Sequence, residues 1–286
     1  MTRKTKASLP EVYAGTNLSI IWAELFLRIV NRGGEPIAPL IVSLEGFNKD
    51  GEVYEVHALR EKLDQTLKAL GAQSVENCAF TIFPQRLWNM ASGDREQLYE
   101  LYKLGLPGYK AMNKQLNRLG LYFERLVDYG PGLEAGNQLE WILTQYHRNR
   151  GIRHTMLQAC IFDPARDHSS QPYLGFPCLQ HVTFVPSKEG LAVNAFYATQ
   201  QLLERAYGNF LGLTQLGAFM AREMELPLAR VNIIVGEEKI APVAKEDRES
   251  VKALKEACET LLRGDANNAG PQPSDEVQQQ DTSVEA

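Results

Sequence analysis

The chain has 286 residues, 44% hydrophobic and 23% charged, with a formal net charge of −5, the balance of an ordinary globular protein with room for one sizeable core. The charge is local, because Asp265, Asp275, Glu276, Asp281 and Glu285 follow Gly264 with no Lys or Arg among them; the body is neutral, and the absence of a basic stripe argues against a general nucleic-acid binder. Cys78, Cys160, Cys178 and Cys258 form no Cys-x-x-Cys pair, which excludes a disulfide scaffold or a zinc or thiol-redox motif and points to a reducing cytoplasm.

The basic start MTRKTKASLP is not followed by an apolar signal core, and Glu24 and Arg28 interrupt the apolar run from Leu18 to Val30. Neither a signal peptide nor a membrane span is expected. Residues 1–14 are expected to be a flexible N-terminus. Asn17 then precedes Leu18, Ile21, Trp22, Leu25 and Ile29 at helical spacing, and Gly33-Gly34 stop that helix. APLIVSL, residues 38–44, reads as a buried strand, residues 57–70 as a helix, and AFTIF, residues 79–83, as a strand ended by Pro84. Residues 94–126 read as mostly helical with a break at Leu106-Pro107-Gly108, and DYGPGLEAG as a loop. Residues 137–148 form an amphipathic helix with Leu139, Ile142, Leu143 and Tyr146 on one face, ending in the basic corner 148–154.

TMLQACIF is expected to be a strand, DPARDHSSQPYLG a loop, Leu179 to Val185 a strand and Leu191 to Ala198 its hairpin partner. Thr199 is placed to cap a long helix running to about Leu226 despite Gly208, Gly212 and Gly217. VNIIV, residues 231–235, is a further strand, and a last helix near 247–262 carries Val251, Leu254, Cys258 and Leu261 on one stripe, which makes Cys258 a core residue. From Gly264 onward Pro, Gly, Gln and Asn replace aromatics, so residues 264–286 are expected to be a disordered acidic tail. Residues 15–263 read as a single α/β domain.

The stretch GFPCLQHVTF, residues 175–184, sets Cys178 behind a proline where a strand begins. Free cysteine is among the most buried residue types, and it becomes a nucleophile only where its surroundings favour the thiolate. His181 is three residues away, on the opposite face of that strand. The five histidines show no metal-ligand spacing, and Gly-x-Gly-x-x-Gly, phosphate-loop and His-Glu-x-x-His motifs are absent. No metal is expected.

The order of elements resembles the thymidylate synthase family, which also includes deoxycytidylate hydroxymethylases. In that family a Pro-Cys opens a strand, and an asparagine 31 residues after the cysteine reads the pyrimidine; here Pro177-Cys178 is followed at that separation by Asn209. The similarity continues through Met220-Ala221 and Glu225-Leu226 to Gly236, and upstream Asn137-Gln138-Leu139 and Arg153-His154 resemble the family's Asp-Gln helix start and arginine pair. The resemblance covers roughly Leu18 to Ile240. It implies a single α/β domain, a large mixed sheet covered by helices, with a sheet face used for dimerisation. It implies C5 one-carbon transfer to a pyrimidine nucleotide, with Cys178 as nucleophile at C6 and a tetrahydrofolate one-carbon donor.

The site departs from the family pattern. The phosphate arginine 20 residues after the cysteine is Ala198, the next Ser is Thr199, the folate Asp is Gln201, the His and Tyr for the ribose hydroxyl are Lys239 and Ala241, and the nearest equivalent of the catalytic Glu is Gln65. Tyr122 matches a family tyrosine although the glycine beside it is Phe123. A thiolate needs a cation, and the candidates are Arg205, Lys239 and Arg153, the last from a partner subunit. Asn209, Arg153, His154, Thr199 and Lys239 are candidate substrate contacts, with Tyr122, Gln201 and Arg205 beside them. Two readings follow: a homodimeric enzyme or binding protein for a pyrimidine nucleotide or nucleoside, or a non-catalytic descendant serving as a dimeric binding or assembly module with Cys178 as a packed relic.

Overall fold

A computed structural model describes residues 9–115, 117–149, 151–170 and 176–268. Strand β1 (Glu11–Gly15) lies parallel to β2 (Leu40–Glu45). Residues 11–14, expected outside the domain, are therefore its outer strand. Helix α1 (Leu18–Asn31) connects the two, capped by the Asn17 side chain, which accepts from the Ser19 and Ile20 amides at 3.0 and 3.3 Å.

Helices α2 (His57–Ala69), α3 (Val75–Phe80), α4 (Gln85–Met90), α5 (Arg95–Met112) and α6 (Tyr122–Val127) follow. The strand expected at 79–83 is instead the end of α3 and the turn after it. Ser74 Oγ caps α3 by accepting from the Asn77 amide, the Phe83 amide donates to the Ala79 carbonyl at 3.0 Å, and Ala79, Ile82 and Phe83 are fully buried; a short apolar run serves a buried helix as well as a buried strand. The break expected at 106–108 is also absent. Pro107 lies inside α5 and removes one backbone donor, while Leu98 and Tyr102 anchor the helix in the core.

Helix α7 (Gln138–Arg148) buries Leu139, Ile142 and Leu143, as its periodicity predicts. Strand β3 is only Gln158–Cys160, because His154–Met156 form a 3-10 turn, and the expected loop after it contains α8 (Pro164–Asp167). The loop's end, with Gly175, lies outside the described residues. Strands β4 (Leu179–Ser187) and β5 (Gly190–Tyr197) form the expected hairpin. The long helix expected from Thr199 begins later. Strand β6 (Gln200–Gln201) leads into a π-helical turn (Leu202–Ala206) and only then α9 (Tyr207–Glu223), because Gln200 and Gln201 pair in parallel with β8 (Glu238–Lys239), which follows β7 (Leu228–Val235). Helix α10 (Arg248–Asn268) buries Leu254 and Cys258. Residues 264–268, expected in the tail, continue α10, and 1–8 and 269–286 lie outside the described residues.

The main sheet has the order β1-β2-β7-β5-β4-β3, with β1–β2 and β5–β7 parallel and the other pairs antiparallel. Helices α1 and α9 pack toward one face, where Val42, Val193, Ala195, Val231 and Ile233 are buried. The opposite face carries two rows that cross the strands. In one, Ser43 donates to Asn232, Asn232 to Asn194 and Asn194 to Thr183, at 2.8, 2.8 and 3.1 Å. The next row sets Val12, Ile41, Ile234, Phe196 and His181 in register, with Val12 63%, Phe196 40% and Ile234 37% exposed. Among the described residues no helix is long and apolar enough to cross a membrane.

Candidate functional site

Three strands finish together at one end of the sheet: β4 begins there, and β5 and β7 end there. The Ala198 amide donates to the Cys178 carbonyl at 3.1 Å and the Gly236 amide to the Tyr197 carbonyl at 2.9 Å. A Cβ at Gly236 would stand 2.6 Å from the Ala198 carbonyl oxygen, so only glycine allows this approach. Beyond it the chain forms the β6–β8 ribbon, which carries Gln201 and Lys239 in register.

Helices close the site from the core side. Gly208 and Gly212 sit where α9 crosses α3, and a Cβ on either would come within 2.7 Å or less of α3 or the residue before its end: Cys78 Cβ at 2.5 Å for Gly208 and the Ala79 carbonyl at 2.7 Å for Gly212. The close crossing brings the Cys78 thiol to the Arg205 carbonyl at 3.5 Å and to Asn209 Oδ1 at 3.4 Å. Asn209 is buried, so its amide faces the interior rather than solvent. Tyr122 stacks on Phe176 at 5.2 Å, and its hydroxyl helps lower the pKa of the Cys178 thiol. Arg205 donates to Gln73, and Lys239 pairs with Glu237 at 2.7 Å.

Burial pushes the Cys178 thiol above its ordinary pKa; the Arg205 and Lys239 cations and the Tyr122 hydrogen bond pull it back only in part. The Cys78 thiol is likewise raised by burial and lowered by Arg205. Two of the cations named from sequence thus lower the pKa of Cys178, while Ala198 is exposed. Tyr122, Thr199, Gln201, Arg205, Asn209 and Lys239 all fall at this end of the sheet. Arg153 and His154 do not join them within the chain: both are exposed at the approach to the edge strand β3. Gln65 is exposed on α2.

Four residues here had no sequence signal that separated them from the background: Cys78, Tyr197, Gln200 and Glu238. Glu238 is fully buried, and neither carboxyl oxygen has a hydrogen-bond partner. Burial drives its pKa well above the usual carboxylate range. A charged residue just past a strand reads as solvated in sequence, so nothing in its identity marks Glu238 as buried.

A separate cleft of about 880 Å³ opens at the other end of the sheet, between the 48–57 loop, α4 and the end of α9. Trp88 and Arg222 line it, with the Arg222 guanidinium 5.1 Å from the Trp88 ring centroid. Compared with known proteins, the sequence matches no protein family and no curated protein.

Proposed function

We propose that the chain is a divergent thymidylate synthase-like homodimer that binds a pyrimidine nucleotide or nucleoside beside Cys178. The observation that carries this reading is the placement of Cys178 at the end of the sheet where the β6–β8 ribbon brings Lys239 and the turn before α9 brings Arg205, two cations that lower the pKa of its thiol, with Asn209 hydrogen-bonded to Cys78 on the helices behind it. In the reaction the thiol first loses its proton to solvent, a step the two cations favour. The sulfur lone pair forms a bond to C6, the C5–C6 π pair shifts toward O4, and C5 becomes the nucleophilic carbon of an enolate. The Asn209 amide offers a donor and an acceptor to the O4/N3 edge.

The resemblance assigns a tetrahydrofolate as donor, which would supply the one-carbon unit to C5. Gln201 stands where the family carboxylate does; its Oε1 is buried without a partner, so it can accept one N–H but brings no charge. Weak or absent methylation of deoxyuridylate is the expected outcome.

The open face of the sheet supports the dimer. Its apolar row, with Phe196 and Ile234 exposed, and its amide ladder suit an isologous contact in which the same patch meets itself. Such a dimer is the route by which Arg153 and His154, exposed near the sheet edge, would reach a partner's site. Light scattering that gives a monomer at micromolar concentration removes that role.

The alternative is a non-catalytic dimeric module. It is favoured by the upward shift of the Cys178 thiol, which leaves little thiolate at neutral pH. Release of tritium from C5 of deoxyuridine, deoxyuridylate or uracil, without any one-carbon donor, decides between the two. The enzyme reading expects release by the native chain and none by Cys178→Ser. No release from any of the three, together with a Cys178 that resists iodoacetamide as firmly as buried Cys258, establishes the module.

A further inference from the structure

Ten buried side-chain polar atoms among the described residues have no hydrogen-bond partner, and seven belong to one short stretch of structure: Tyr197 OH, Thr199 Oγ1, both amide atoms of Gln200, Gln201 Oε1 and both oxygens of Glu238. Buried polar groups are nearly always satisfied, and each exception forfeits about what a hydrogen bond is worth. A concentration of them at one place, beside a candidate nucleophile, calls for a guest whose atoms complete them.

Their placement narrows what the guest is. Gln200 and Glu238 are directly paired across the parallel β6–β8 ribbon, so their side chains leave the same face. Tyr197 ends β5 three residues before Gln200, and Leu179, next to Cys178, is its register partner on β4. Tyr197 is fully buried, and burial, with Tyr122, Cys78, Cys178 and Glu238 adding to it, raises the pKa of its phenol and keeps the proton on it. Glu238 is fully buried with neither oxygen partnered, and burial raises its pKa, which favours the protonated carboxyl; in that form, like the phenol of Tyr197 and the amide of Gln200, it has a hydrogen to donate. A carboxylic acid held neutral by its surroundings and set beside a tyrosine can stabilise an oxygen that becomes negative during a reaction.

We propose that Glu238 and Tyr197, assisted by Gln200, form an oxyanion hole for the carbonyl oxygen of an uncharged ring whose C=C–C=O unit is attacked by Cys178. This rests on the reading of Cys178 as a nucleophile and assigns catalytic contacts to residues outside it. In the step, the sulfur lone pair makes the S–C bond at the far alkene carbon. The π electrons move through the conjugated unit onto the carbonyl oxygen, and the O–H groups of Glu238 and Tyr197 hydrogen-bond the enolate oxygen without any change of oxidation state. Gln65, exposed on α2, is not needed for this role.

Two reagents separate the step from simple thiol reactivity. Iodoacetamide alkylates sulfur by displacement of iodide, with no oxyanion formed, whereas cyclohex-2-en-1-one adds through an enolate. Cys178 modification by each is followed by peptide mass spectrometry on the full chain. Tyr197→Phe and Glu238→Leu are expected to slow the enone on the order of a hundredfold and leave iodoacetamide within about twofold, with Glu238→Gln, which keeps an N–H donor, in between. If both reagents change in parallel, or neither changes, the oxyanion hole is refuted while Cys178 remains a nucleophile. If the native Cys178 reacts with neither reagent, the nucleophile reading fails and this proposal with it. Melting curves of all three variants establish that the rates refer to folded protein.

Discussion

Two buried acidic side chains in this molecule are treated in opposite ways. Asp167 and Arg125 are each 2% exposed and form a two-point pair, with Arg125 Nη2 to Asp167 Oδ1 at 2.7 Å and Nη1 to Oδ2 at 3.3 Å. Arg125 donates further to the Ile161 and Leu119 carbonyls, and Asp167 accepts from the Asp163 amide at 2.7 Å. Glu238 is equally buried and has nothing. Phe176 lies between the ion pair and Tyr122: its ring centroid is 5.3 Å from the Arg125 guanidinium, and it stacks with Tyr122. The first arrangement ties α6, α8 and the strand β3 segment together, which is what a structural ion pair does. The second stabilises nothing in the free chain, and a group kept at such a cost is better explained by what it does to a ligand.

The largest expected effect lies on the paired side. Asp167→Ala strands the Arg125 guanidinium in the core, and breaking a buried pair by removing one partner costs about 3–5 kcal/mol. In a domain of this size that lowers Tm by roughly 6–20 °C. A loss below about 1 kcal/mol in urea unfolding would erase the distinction between the two acids.

Next comes the crossing that holds the site together. Gly212→Ala places a Cβ 2.7 Å from the Ala79 carbonyl and 3.0 Å from Ile82 Cβ, so α3 must move away from α9. Overpacking of this kind costs about 1–3 kcal/mol. Because Cys78 and Asn209 meet across the same crossing, the accessibility of Cys78 to thiol reagents should rise in the same variant; unchanged stability and unchanged Cys78 protection would show that the helices do not touch there.

Glu238 is expected to respond with the opposite sign. Glu238→Leu removes an unpartnered carboxyl and should stabilise the fold, by about 1–3 kcal/mol, while harming the chemistry proposed for it. The pH dependence follows from the raised pKa. Between the unfolded carboxylate value and the higher folded one, the folded state holds a proton that the unfolded state has lost. Native stability therefore falls as pH rises through that window, by about 1.4 kcal/mol per unit for one proton, and is fully present below it. Urea midpoints at pH 5, 6 and 7 should converge on the variant's value as pH decreases and separate from it as pH increases. A gap that does not depend on pH would mean that Glu238 is ionised or satisfied.

These contrasts also mark what was legible in the sequence. Helices α1, α7 and α10 and strand β2 followed from long periodic or apolar runs, and Cys258 from its place on a stripe. AFTIF misled because its apolar residues are the end of a helix of only six residues and the turn after it, while the polar positions that show the helical period, Glu76 and Asn77, lie before it. Thr199 misled because the partner of Gln200 and Gln201 is a pair of residues 38 positions downstream, which local propensity cannot see. At the site, the Cys178–Asn209 separation and the resemblance it belongs to named Tyr122, Arg205 and Lys239 as well, and Arg205 and Lys239 lower the Cys178 pKa. Cys78, Tyr197, Gln200 and Glu238 were not named, since nothing in a residue's identity announces that it will be buried without a partner.

The smallest effect tests how the charges at the Cys178 end are shared. Burial acts first on that thiol and raises its pKa; Arg205 is the larger of the two cations lowering it, and Lys239 the smaller. Lys239 is 39% exposed and already paired with Glu237, so solvent and its partner both weaken its field at the sulfur. Lys239→Met should therefore slow iodoacetamide alkylation of Cys178 at pH 7 by only about two- to fivefold, and Arg205→Met by more, about tenfold if the pKa moves by one unit. In both variants the rate should recover at high pH, because the thiolate forms there without help. The direction is fixed by sign: losing a cation makes the anionic sulfur less favourable, so each profile must shift toward higher pH. A profile that shifts lower, or a Lys239 effect larger than that of Arg205, would mean that the thiol faces the β8 ribbon rather than the turn before α9, and the site would have to be rebuilt around Lys239.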